Sequence, residues 1–232
     1  MSSIAANIAQ IQQRIEAACR RSDRDPNAVR LIAVSKVKPA NAVDQAYRAG
    51  QQLFGESYVQ EFRDKAAAVT EPVTWHFVGG LQSNKIKYLR GKVAMIHSVD
   101  RFSLAKEIDR QWQKIDQSAD ILIQVNVGEE TSKSGCSAAE LAPLVRRIAA
   151  LEQVKIRGLM CLPPLFEDPE RVRPYFRKLR DLSRQIAAEQ IPSVEMSELS
   201  MGMSGDFEAA VEEGATLVRI GTAIFGARPA KD

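Results

Sequence analysis

The residue best placed for chemistry is a lysine at the exit of an apolar run. Val29 to Lys36 reads Val-Arg-Leu-Ile-Ala-Val-Ser-Lys, with Pro39 three residues on. A β-branched apolar run of this kind predicts a strand buried on both faces, as in parallel sheets. Pro39 halts the strand and leads into a helix. A lysine at such an exit keeps its stem against apolar walls. Partial desolvation there favours the neutral amine, the nucleophile that Schiff-base chemistry with an aldehyde requires. Taken alone, the stretch fits better a lysine that simply snorkels to solvent.

A second set of residues changes that balance. Ser200-Met-Gly-Met-Ser204 and Ile220-Gly-Thr-Ala223 each leave a strand-like segment near the end of the chain. Ser204 is a fair N-cap for a helix over Phe207 to Glu213, and Gly221-Thr222 precede a short helical turn. Glycine, hydroxyls and exposed N–H groups at helix starts bind phosphate; Asp206 is a contrary charge beside them. A lysine facing a phosphate cradle suggests pyridoxal 5′-phosphate, with Lys36 as its aldimine partner.

The elements that must bring these groups together alternate along the chain. Strands are predicted over Val29 to Lys36, Gln52 to Ser57, Thr74 to Gly79, Ala94 to Val99, Ile121 to Val127, Lys155 to Cys161, Val194 to Ser200 and Thr216 to Gly221. Helical patterns lie between them, at Ala40 to Ala49, Tyr58 to Ala68, Ser83 to Leu89, Phe102 to Gln117, Ala138 to Leu151, Pro169 to Glu189 and Gly205 to Glu213. Gly50, Gly91 and Gly214 fall where helices should end. An amphipathic helix with Ile4, Ile8, Ile11 and Ile15 on one face precedes the first strand. Without a linker or composition break, this alternation predicts a single (β/α)8 TIM barrel over residues 1–232 with an extra N-terminal helix. An open doubly wound sheet is disfavoured, since no Gly-x-Gly-x-x-Gly follows the first strand. In a closed barrel the last strand neighbours the first, with the seventh beside it, and the active face lies at the strands' C-terminal ends.

Composition narrows the function classes. The 232 residues are 45% hydrophobic and 26% charged, enough to bury a substantial core. A net charge of +3, spread over helix faces, makes no case for nucleic acid. No apolar run could span a bilayer and no signal peptide is legible. Cys19, Cys136 and Cys161 lack metal-ligand spacing and read as free thiols, so a cytoplasmic protein is expected.

The chain resembles the pyridoxal-phosphate homeostasis proteins, whose fold is similar to the barrel domain of alanine racemases, the fold type III architecture of pyridoxal-phosphate proteins. The matching segments are Ala33-Val-Ser-Lys36, Phe54-Gly-Glu-Ser-Tyr-Val-Gln-Glu61, Trp75-His-Phe-Val-Gly-Gly-Leu-Gln-Ser-Asn-Lys85, Ser132-Lys-Ser-Gly135, Arg157-Gly-Leu-Met160, Leu199-Ser-Met-Gly-Met-Ser204 and Val218-Arg-Ile-Gly-Thr-Ala-Ile-Phe-Gly226. Weak singly, they are specific in this order. The resemblance implies an internal aldimine on Lys36, phosphate contacts from Ser200, Ser204, Gly221 and Thr222, and Arg219 near the pyridine nitrogen. Two positions depart from the pattern: Ser57 stands where the family has Asn, and Gly80 where it commonly has Pro.

The implied function is intracellular pyridoxal 5′-phosphate homeostasis: a monomeric carrier of the cofactor, without turnover of its own, in transient contact with apoenzymes. The alternative is an amino-acid racemase or related enzyme. By resemblance, alanine racemases need a second, β-rich domain supplying a partner tyrosine, and only a few residues follow Phe225 here. Other polar residues carry plainer expectations. His76 and His97 should be hydrogen-bonded core histidines, and Lys38, Lys85 and Lys133 solvated lysines on mouth loops. Asn126 and Glu56 lie near strand exits, where Glu56 could orient a cofactor group. Cys161, also at a strand exit, has nothing in sequence to lower its pKa.

Overall fold

In a computed structural model, described over residues 3–130, 133–164 and 166–227, parallel strands close into a barrel in the order β1-β2-β3-β4-β5-β6-β7-β8. The strands are β1 Arg30–Val34, β2 Leu53–Glu56, β3 Thr74–Phe77, β4 Met95–Val99, β5 Ala119–Gln124, β6 Val154–Met160, β7 Val194–Ser200 and β8 Leu217–Ile220. The helices are α1 Ile4–Arg21, α2 Ala40–Arg48, α3 Val59–Ala68, α4 Phe102–Gln113, α5 Ala138–Ala149, α6 Arg173–Ala188, α7 Phe207–Glu212 and α8 Thr222–Phe225. Between β3 and β4 the predicted helix is a 3-10 turn, Ser83–Tyr88, and another, Pro169–Val172, opens the segment ahead of α6. The predicted strands overreach mostly at their C-terminal ends, because the polar exit residues belong to loops and lack ladder partners.

Two apolar layers follow from the alternation of side chains along each strand. Ile32, Met95, Leu122, Met160 and Leu217 fill the barrel lumen, while residues of opposite parity, such as Ala33, Phe54, Phe77 and Val218, pack outward under the helices. Parity carries through to the site. Ile32 and Val34 point inward, and so does Arg219, two residues from Leu217. Gly55 is small because a Cβ there would sit 2.9 Å from Ile32 in the lumen.

The ends of the helices are where glycine predicts them: Gly50, Gly91 and Gly214 have φ of +97°, +66° and +110°. Pro39 is the N-cap of α2. Helix α1 buries Ile8, Ile11 and Ile15 and holds the site's last element, with Asn7 Nδ2 donating to the Ile224 carbonyl of α8 at 2.8 Å. Arg14 and Arg21 pair with Glu208 and Glu212 of α7 at 2.6 Å each. Among the described residues, no helix is long and apolar enough to cross a membrane.

Gly158 gives a direct test of this packing. Its φ is +154°, and a Cβ would lie 1.9 Å from the Glu198 carbonyl oxygen on β7. Gly158→Ala must push β6 and β7 apart, so it should destabilise the fold by about 2–4 kcal/mol. A denaturant midpoint equal to the wild type would refute the close strand contact.

Candidate functional site

A cavity of about 670 Å³ opens where the strands end. Lys36, Ser57, Ser204, Arg219, Gly221 and Thr222 line it, together with Lys38, Tyr58, Gln124 and Lys133. Among the described residues, four lining side chains are cationic (Lys36, Lys38, Lys133 and Arg219), and none is a carboxylate. Gly80 and Gly205 are also on the wall, with open space where a Cβ would stand. Such a surface favours an anion with room to approach backbone N–H groups.

Lys36 comes from the turn after β1, and Arg219 from β8, the strand paired with β1 through Ile32 and Arg219. Arg219 is 4% exposed. Its Nη2 donates to the Cys161 carbonyl at 2.8 Å, and its Nη1 donates to Ser200 Oγ. Burial lowers its pKa, but a guanidinium stays protonated and can only donate.

Ser200, expected among the phosphate contacts, is fully buried beside Arg219 and is not among the described residues of the cavity wall. Strand parity explains this: as the last residue of β7 it points into the lumen, and the loop beyond it rises to the mouth. Its Oγ also meets His97 Nδ1 at 2.9 Å, and His97 Nε2 meets His76 Nδ1 at 2.8 Å. Arg219 fills one of the two acceptor positions on Ser200; if the serine donates its proton to His97 Nδ1, His97 Nε2–H goes to His76 Nδ1. Burial pushes the His76 pKa down to about 3 and that of His97 well below its usual value. Both rings stay neutral, as expected for core histidines, and together they hold Arg219 in place.

Ser204 also differs from its expected role. The residue capping α7 is Asp206, whose Oδ1 accepts from the Met203 N–H at 2.6 Å and so holds the loop after β7. Burial raises the Asp206 pKa, against the lowering effect of its hydrogen bond from the Met203 N–H. Ser204 Oγ instead accepts from the Ala223 N–H of α8 at 3.4 Å, bringing the two hydroxyl-bearing loops together. Thr222 opens α8, with Gly221 before it.

Lys38 and Lys133, expected to be solvated, are partly buried on the wall. Lys38 Nζ donates to the Ala227 carbonyl and Lys133 Nζ to the Pro163 carbonyl, each at 2.8 Å. Lys85 is exposed and off the wall. Asn126 is off it too, its amide donating to the Glu130 carbonyl at 2.8 Å. Glu56 is fully buried and bonded to Ser35 and Lys65, so it orients nothing in the cavity. Burial pushes the Cys161 thiol up to about 12, leaving it inert. Gln124 and Tyr58 are the wall residues that sequence undervalued. A polar residue closing the apolar run of β5 was the available signal for Gln124. Ser132 of the fourth matching segment lies outside the described residues.

The class is thus a parallel (β/α)8 barrel with a cation-lined mouth at its C-terminal face. Residues 2–229 match the family model described as alanine racemase, N-terminal domain. A pyridoxal phosphate homeostasis protein of Aquifex aeolicus is 46% identical over 222 residues, 95% of this chain and 96% of the relative. One of Pseudomonas aeruginosa is 42% identical over 229 residues, covering 98% and 97%. PipY of Synechococcus elongatus, solved with PLP bound, superposes with a TM-score of 0.83 at 37% identity, covering 97% of this chain and all of PipY. The chain belongs to the alanine racemase N-terminal domain family, among its pyridoxal phosphate homeostasis proteins.

Proposed function

We propose that this chain binds pyridoxal 5′-phosphate through Lys36 and serves its intracellular supply as a monomeric carrier, handing it to apoenzymes without appreciable turnover of its own. One observation carries this reading: a cavity wall with four cations and no carboxylate among the described residues, and with Lys36 and Arg219 set by neighbouring strands, Lys36 in the turn after β1 and Arg219 on β8. The donor set fits the cofactor. A phosphate needs hydroxyl and N–H donors, which Ser204, Gly221 and Thr222 offer; a ring nitrogen needs a donor, which Arg219 offers. Ser57 stands on the wall with one hydroxyl to give. Ser200 acts through Arg219, as a support.

When bound, the cofactor supplies an aldehyde that condenses with a lysine amine and a ring that withdraws electrons. The chain's own residues do the rest. Lys36 holds the reactive amine, the last two loops anchor the anion, and Arg219 presents N–H groups and withholds a proton acceptor. The names of the relatives support a handling role over a catalytic one. A racemase is the second reading, favoured by Tyr58, whose phenol stands on the cavity wall.

The anchor is tested by separating phosphate from ring. Thr222→Val and Ser204→Ala should each weaken pyridoxal 5′-phosphate binding about tenfold, since a hydrogen bond to a charged group contributes ~1.5–3 kcal/mol. Affinity for unphosphorylated pyridoxal should not change. Equal retention of pyridoxal 5′-phosphate by both variants and the wild type would place the phosphate elsewhere.

A further inference from the structure

The turn that carries Lys36 adopts a conformation its sequence disfavours. Ser35 to Lys38 close a turn through the Lys38 N–H on the Ser35 carbonyl at 3.0 Å, with Lys36 second and Val37 third. Val37 has φ of +57°. The third position of a type II turn ordinarily takes Gly or Asn. For a β-branched residue the left-handed region costs roughly 1–3 kcal/mol, so something else must hold it there. Packing does not, because Val37 is 44% exposed.

A network of charges does. Glu61 Oε1 on α3 accepts the Val37 N–H and pairs with Lys65 Nζ at 2.8 Å. The Lys65 amine also donates to the Ser35 carbonyl at 2.6 Å and to Glu56. Glu56 in turn accepts the Ser35 hydroxyl at 2.7 Å. The residues on both sides of Lys36 are therefore tied to one carboxylate–ammonium–carboxylate chain. Its inner members are almost dry, with Lys65 and Glu56 side chains 4% and 0% exposed. None of the three lines the cavity, so binding in the cavity does not explain them. Buried ion pairs are weak devices for stability, which leaves specificity of conformation as their use here.

We propose that Glu61, backed by Lys65 and Glu56, is a positioning residue: it holds the strained Val37 turn and thereby fixes the direction in which the Lys36 amine enters the cavity. This rests on the reading of Lys36 as the attachment site. The network spends its hydrogen bonds on the backbone either side of the lysine, so loss of Glu61 should leave the anion-binding loops of β7 and β8 intact while the amine loses its approach.

The test compares pyridoxal 5′-phosphate with pyridoxine 5′-phosphate, which has the same phosphate and ring but an alcohol in place of the aldehyde. Glu61→Ala should lower the borohydride-trapped fraction on Lys36 about tenfold, the factor that the strain corresponds to. Pyridoxine 5′-phosphate affinity should stay within about twofold. Glu61→Gln keeps an acceptor for the Val37 N–H and should recover most of the trapping. On a Val37→Gly background, the same Glu61→Ala change should cost only about two- to threefold, because glycine takes positive φ without penalty. Equal losses for the two ligands, no loss in Glu61→Ala, or an undiminished loss on the glycine background would each overturn the proposal. Trapping in the wild type at a lysine other than Lys36 would sink the site reading and this inference with it. Trapping at Lys36 that survives Glu61→Ala sinks the inference alone.

Discussion

Lys36→Ala should abolish the adduct that borohydride traps between this chain and pyridoxal 5′-phosphate, a loss of roughly a hundredfold or more, equivalent to ~2.7 kcal/mol. The size of the effect follows from what the remaining amines on the wall are doing. Lys38 holds the Ala227 carbonyl and Lys133 holds the Pro163 carbonyl, so either would have to give up a charged hydrogen bond before it could attack. Lys133 comes from the loop after β5, away from the β1–β8 seam, and Lys38, though it closes the same turn as Lys36, turns its amine to the Ala227 carbonyl. Affinity should fall much less than labelling, since the phosphate donors on the last two loops are untouched. The measurement is peptide mapping after reduction, with equilibrium binding on the same samples. A wild-type map with its label on Lys38 would move the attachment site along the same turn, and one on Lys133 would move it to the loop after β5.

The part of this site that sequence makes legible is the part that strand exits determine. Lys36, Gly221 and Thr222 lie just past apolar runs, and a closed barrel puts all such exits on one face. The glycine stops were equally open to reading, because positive φ at Gly50, Gly91 and Gly214 is a local requirement. Ser200 and Ser204 show the limit. Both flank the same Met-Gly-Met segment, yet one faces the lumen and the other reaches the mouth; the end of β7 was legible, but not that its last residue turns inward to Arg219 and His97. Lys65 marks a second limit. Its i,i+4 relation to Glu61 could be read from the sequence, but such pairs are ordinarily solvated, and nothing in α3 says that this one is buried against β2. The hydrogen bonds that run from His76 through His97 and Ser200 end on Arg219, more than a hundred residues away in the chain.

Bound amino acids should exchange their α-hydrogens in deuterated buffer far more slowly than enzymes turn over, at well below about 1–10³ per second, while transfer of the cofactor to an apoenzyme proceeds. The cause lies with Arg219. Its guanidinium is held by Ser200 and the Cys161 carbonyl, and the residue lines the cavity. A ring nitrogen that meets an obligate donor is held unprotonated. An unprotonated ring withdraws electrons less well than a pyridinium, so a carbanion beside it is poorly stabilised. Neighbouring groups do not reverse this. His97 stays neutral because burial depresses its pKa, and it reaches Arg219 only through the serine hydroxyl. Two-sided proton transfer also needs a second acid–base group. Tyr58, the one tyrosine among the described wall residues, is 54% exposed and starts a helix, so nothing fixes its phenol against a reacting carbon. Poor electron withdrawal and an unfixed phenol together leave condensation and exchange at Lys36 as the chemistry the cavity supports. Isotope exchange at ordinary enzymatic rates, with loss of that exchange in Tyr58→Phe, would reassign the chain as a racemase and make Tyr58 its second acid–base residue.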